Sequence, residues 1–159
     1  MRIGLKAKIK KAGAVLFVLY VAALVYFLFF SEQYGRGGAA EQIYRYNLVP
    51  LKEIRRFWIY RDTVGVKAML INIGGNVVGF IPFGLFLPLL SKNSRSFLFI
   101  MLSGLAVSLT VETIQLIGRV GSFDVDDLLL NTIGAVLGYF IFKICKILYE
   151  ALYSYFKGA

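Results

Sequence analysis

Ala68-Met-Leu-Ile-Asn-Ile-Gly-Gly-Asn-Val-Val-Gly-Phe-Ile-Pro-Phe-Gly-Leu-Phe-Leu-Pro-Leu-Leu-Ser91 is the stretch on which the fold turns, and it runs without a charge from Lys67 to Lys92. A helix rises about 1.5 Å per residue, so about 20 apolar residues cover the roughly 30 Å of hydrocarbon in a bilayer. Three further stretches read the same way. Residues 12–31 lie between Lys11 and Glu32, residues 96–118 carry the single charge Glu112, and residues 128–149 are uncharged as far as Phe142. The last stretch spans only if Lys143 and Lys146 extend their ammonium groups to the interface. The expectation is an all-α integral membrane protein with about four transmembrane helices, forming a single membrane domain over residues 1–159.

Composition supports this reading. Of the 159 residues 58% are hydrophobic and 17% charged, with a mean hydropathy of +0.72, against roughly 45–50% apolar usage in soluble domains. The net charge of +9 could suggest nucleic acid, but the basic residues lie between and outside the apolar runs instead of forming one stripe. A bilayer with anionic headgroups is therefore the expected partner, and nucleic acid is not. Histidine is absent and Cys145 is the single cysteine, which excludes an internal disulfide and Cys/His metal sites. No cofactor motif is evident, so any chemistry falls to carboxylates, amides, hydroxyls or arginines.

The first span follows Arg2, Lys6, Lys8, Lys10 and Lys11. Its apolar run exceeds the 7 to 15 residues typical of a cleaved signal, so an uncleaved anchor is expected. Basic residues in short loops, weighted to this first cluster, place both termini in the cytoplasm. The long first loop, residues 32–67, contains Pro50-Leu-Lys-Glu-Ile-Arg-Arg-Phe-Trp-Ile-Tyr60. Leu51, Ile54 and Trp58 fall at helical spacing, and proline suits a first helical turn. A short interfacial helix and a solvated basic loop both fit. Tyr44, Tyr46, Trp58 and Tyr60 suit an aromatic belt under either reading.

Successive spans run in opposite directions, and this orders their polar residues. Asn72 and Asn76 come early in the second span, Glu112, Gln115 and Arg119 late in the third, and Asp124, Asp126, Asp127 and Asn131 early in the fourth. Early, late and early are the same membrane face. Residues three, four and seven apart share a helix side, so Asn72, Gly75, Asn76 and Gly79 form one stripe. Ser108, Glu112, Gln115 and Arg119 form a second, and Asp127, Asn131, Gly134 and Gly138 a third. Gly75 to Gly79 and Gly134 to Gly138 have the spacing that lets helix backbones approach closely. A charge at the centre of a span costs roughly 3 kcal/mol on insertion scales, so Glu112 is expected to face protein. It could serve a function, or it could act as glue by pairing with Arg119 or bonding to Asn76 and Asn131.

Four blocks, taken in order, resemble the VanZ-like family of bacterial membrane proteins. They are Asn47-Leu-Val-Pro50; Asn76-Val-Val-Gly-Phe-Ile-Pro-Phe-Gly84; Glu112-Thr-Ile-Gln115 with Arg119; and Asp124-Val-Asp-Asp127-Leu-Leu-Leu-Asn131-Thr-Ile-Gly134. The motif region covers about residues 47–138. The resemblance implies a multi-pass cell-membrane protein of the cell envelope, linked through the family's namesake to glycopeptide (teicoplanin) resistance, and it supplies no reaction. It adds Pro82 and Gly84 to the residues of interest, and a Pro-x-Gly inside a span suggests a kink or a broken helix.

Two functions are expected to compete. The first is a polar pocket near the outer face that binds a ligand such as a lipid-linked cell-wall precursor or another amphiphile. The second is a membrane enzyme acting on a lipid-linked substrate, with Glu112, Asp124 and Asp127 as general acid and base or as oxygen ligands for a hard divalent cation. A transport path is disfavoured because the polar groups stay near one face. Cysteines placed at Asn47, Arg119 and Gly121 should all react with an impermeant maleimide from one and the same side. Labelling from opposite sides would contradict the shared face.

Overall fold

The computed structural model describes residues 2–30 and 46–158; the first part of the long loop, with Arg36, Tyr44 and Arg45, lies outside the described residues. Helix α1 (Arg2–Phe30) precedes that loop. After it come strand β1 (Tyr46–Asn47) and helices α2 (Lys52–Ile59), α3 (Arg61–Val64) and α4 (Val66–Met69). A π-helical turn (Leu70–Gly74) leads into α5 (Gly75–Leu90), and α6 (Phe97–Gly118), β2 (Phe123–Asp124) and α7 (Val125–Gly158) complete the chain. Among the described residues four helices are long and apolar enough to cross a membrane: Lys10–Phe27, Val66–Leu90, Phe97–Gly118 and Val125–Lys157. The molecule is an all-α integral membrane protein.

The helices differ from the expected spans in two instructive places. The fourth starts earlier than residue 128 and runs on beyond Tyr149 as one rod of 34 residues, roughly 50 Å at about 1.5 Å per residue. No glycine or proline lies between Gly138 and Gly158 to stop it. The second span is not broken at Pro82-Phe-Gly84, because α5 continues through both Pro82 and Pro88. Proline removes an amide donor from the helical ladder. Beside it, the Tyr20 hydroxyl of α1 donates to the Gly79 carbonyl at 2.9 Å. The irregularity lies instead more than two turns earlier, in the π-helical turn that carries Asn72.

Backbone contact between α5 and α7 sets the core. A Cβ added at Gly84 would land against the Ala135 carbonyl, one at Gly134 against the Val77 carbonyl, and one at Gly138 against the Ile81 carbonyl. Only glycine permits that approach. Gly104 of α6 is held nearly as tightly, since its Cβ would stand 2.7 Å from that of Ala135. Phe80, Phe83, Ile100, Ala135 and Tyr139 fill the space around these crossings. The Tyr139 hydroxyl then donates to the Arg95 carbonyl at 2.9 Å, tying α7 to the turn between α5 and α6. Gly75 and Gly79 do not act this way. Among the described residues nothing outside its own helix backbone lies within 4 Å of a Cβ at Gly75, and Gly79 would meet only the Leu24 side chain at 3.7 Å, so of the two glycine pairs only Gly134 and Gly138 seat a described neighbouring backbone.

Gly84→Ala is expected to cost about 1–3 kcal/mol or more through overpacking, while Gly75→Ala should leave thermal stability in detergent near that of the parent. Equal melting temperatures for the two variants would refute this account of the crossing.

Candidate functional site

The site is built at the turn between α6 and α7. At the end of α6, Arg119 takes the left-handed conformation (φ 53°, ψ 29°), and the amides of Val120 and Gly121 donate to the Gln115 carbonyl at 3.0 and 3.3 Å. These bonds satisfy a helix end that would otherwise be left unpaired near hydrocarbon. Gly121 is pressed against the Gln115 side chain, with a Cβ position 2.9 Å from that of Gln115. The chain then turns back, and Phe123 and Asp124 pair in parallel with Tyr46 and Asn47.

Three consecutive tasks fall to the acidic segment that follows. Asp124 is the cap of α7: its Oδ1 accepts the amide of Asp126 at 2.8 Å and the side-chain amide of Asn47 at 3.0 Å. Its own N–H donates to Glu112 Oε2 at 2.9 Å. Burial pushes the Asp124 carboxyl above the usual carboxylate range, while the bonds from Asp126 and Asn47 pull it back. Asp126, 1% exposed, turns away from its own helix and accepts the amides of Leu51, of Glu53 at 2.8 Å and of Ile54 at 3.2 Å. Asp127 Oδ1 accepts the Asn76 side-chain amide at 2.5 Å, joining α7 to α5.

Asp126 explains how α2 starts. Leu51 stands at the cap position with φ 63° and offers no side-chain acceptor, and Pro50 lies ahead of the helix instead of in its first turn. A distant carboxylate supplies the acceptors that a local Ser, Asp or Asn would normally provide. The side of α2 turned into the protein also differs from the expected one. Phe57 is buried and Ile54 half-buried, whereas Leu51 and Trp58 are exposed, the latter beside Arg61, whose guanidinium lies 5.5 Å from the indole centroid.

Deeper in the bundle the Asn131 side-chain amide donates to Ser108 Oγ at 2.8 Å. Asn131 Oδ1 is buried with no hydrogen-bond partner among the described residues. Glu112, Gln115, Asp124 and Asn131 are all buried, but Asn72 and Arg119 are exposed. Asn47, Asn76, Glu112, Gln115, Asp124 and Asp127 thus meet at one end of the bundle. Gly84 and Gly134 instead belong to the helix crossing, and Pro50 and Arg119 mark the ends of their helices.

Beside this network lies a cavity of about 790 Å³ between α1, the second span, α6 and the start of α7. Its polar lining comes from Tyr20, Asn72, Asn76, Glu112, Gln115 and Asp127, and its apolar lining includes Ala23, Leu24, Phe27, Ile71, Val78 and Pro82. One participant escapes a reading of sequence alone: Tyr20 sits in a span without motifs, and its hydroxyl was the available signal. Asp126 is placed in the polar cluster by sequence, but its partner, the start of α2, is not.

Fold and site define a small four-span membrane protein whose polar side chains are interlocked at one end of the bundle, beside a groove of mixed polarity. Residues 17–146 match the VanZ/LLP1 family, and the chain belongs to that family. It is 31% identical over 131 residues to Protein VanZ of Enterococcus faecium, covering 77% of this chain and 68% of that protein. No solved structure matches.

Asp126→Ala should release the start of α2 while leaving the spans folded. Amide exchange at Leu51, Glu53 and Ile54 should speed up by at least tenfold, since losing a helix cap costs about 0.5–2 kcal/mol and several bonds are lost here. Unchanged exchange at those three amides would remove Asp126 from this role.

Proposed function

We propose that this protein lies in the bacterial cell membrane with both termini in the cytoplasm, and that its groove opens near the outer face to bind an amphiphilic ligand. Through that binding it contributes to tolerance of glycopeptides such as teicoplanin. The observation that carries the reading is the groove, whose wall combines Glu112, Gln115, Asp127 and two asparagines with apolar side chains of α1 and the second span. Binding sites for small molecules are concave and mostly apolar, with a few convergent polar groups. The link to glycopeptides comes from the family resemblance, and the orientation from the basic residues ahead of the first span.

The alternative, an enzyme acting on a lipid-linked substrate, would have to use Glu112 and Asp127, which line the groove. Asp124 is occupied in capping α7 and holding Asn47, which makes it a poor third member of a catalytic set. No observation favours this reading over binding.

Gly75 provides the cleanest test, because it lines the groove and a Cβ added there meets no described neighbour within 4 Å. In a susceptible host, at equal protein level, Gly75→Phe and Glu112→Ala should both abolish whatever teicoplanin tolerance the parent confers. Full tolerance in Gly75→Phe would count decisively against the groove.

A further inference from the structure

We propose that the outward side of α2, with the chain on either side of it, is a site for anionic phospholipid headgroups, and that Trp58 lies where headgroup meets hydrocarbon. The inference is independent of the groove. Six large apolar side chains outside the spans, Leu48, Val49, Leu51, Trp58, Ile59 and Tyr60, are each more than half exposed. Water is a poor medium for so many in one short stretch, whereas the headgroup layer accommodates them. Arg55, Trp58 and Ile59 share the side of α2 opposite the buried Phe57, so basic and apolar groups alternate on the face turned outward. The Arg61 guanidinium lies over the Trp58 indole.

Height in the membrane follows from the tether at Asp126. Its carboxylate accepts the amides of Leu51, Glu53 and Ile54, and Tyr46 and Asn47 pair with Phe123 and Asp124, so α2 starts beside the first turn of α7. The uncharged part of that span begins at Leu128 and the second span at Val66. Helix α2 therefore sits where the hydrocarbon ends. Charge then selects among lipids. Lys52, Arg55, Arg56, Arg61 and Lys67 are all exposed, against Glu53 and Asp62 on the same stretch. Residues 32–45 add two basic and two acidic residues, so the excess holds for the whole loop. Of the carboxylates at this end of the bundle, Glu112, Asp124 and Asp126 are buried and Asp127 is half-buried. Exposed cations at the membrane surface attract anionic headgroups, and guanidinium groups match the geometry of a phosphate.

Trp58 is the single tryptophan of the chain, so its fluorescence reports on this face alone. The full chain is reconstituted in phosphatidylcholine liposomes that carry equal small amounts of either phosphatidylglycerol or phosphatidylcholine brominated at the same acyl positions. The brominated phosphatidylglycerol should quench Trp58 at least about twofold more strongly, and bromines near the glycerol should quench more than bromines at the chain ends. That excess should disappear in the double variant Lys52→Gln with Arg55→Gln and persist in Lys157→Gln. High salt should shrink it in the parent as well, a measurement that needs no variant to fold. Equal quenching by the two lipids would overturn the inference, as would an excess indifferent both to salt and to the double substitution. Quenching by aqueous acrylamide with none by either brominated lipid would overturn it in favour of a solvated loop. Quenching by none of the three would overturn it in favour of a face covered by protein.

Discussion

Hydrocarbon offers no hydrogen bonds, so each polar group taken below the headgroups must find its partner within the protein. In this molecule the requirement is met largely at one place, residues 124–127. Asp124 closes the start of its own helix, Asp126 closes the start of α2, and Asp127 holds Asn76 of α5. Glu112 of α6 joins the same network through the Asp124 amide. Helices α2, α5 and α6 are thereby fixed to the start of α7.

The rest of the bundle follows from that anchoring. Because α7 carries Gly134 and Gly138 just beyond the acidic turn, α5 can lie on it backbone to backbone, with Gly84 completing the contact from the other side. Tight packing of this kind is the main adhesive between helices in lipid, where burying apolar surface gains little. The acidic turn sets the level of the helices, and the glycines set their spacing. Helix α1 makes a looser contact, through Phe17, Tyr20 and Leu24, and the groove lies along its side.

The same interactions separate the carboxylates committed to helix starts from those that also line the cavity. Asp124 and Asp126 are committed to backbone amides and are buried. Glu112 and Asp127 take part in the network and also line the cavity. The π-helical turn adds Asn72 to that lining. Such turns are frequent at functional sites because they shift side chains out of regular register.

Much of this was legible in the residues themselves. Apolar runs of bilayer length determine the number of spans, and the positions of Asn72, Asn76, Glu112 and Asp127 within them determine that polar groups cluster toward one face, since both depend only on local periodicity and chain direction. Partner choice was not legible. That Asp126 reaches a helix 75 residues away, that Gly134 seats a backbone while Gly75 borders open space, and that α2 turns Phe57 inward and Trp58 outward depend on how the helices cross. A crossing is decided by the joint shape of two surfaces, and no single stretch of sequence contains both.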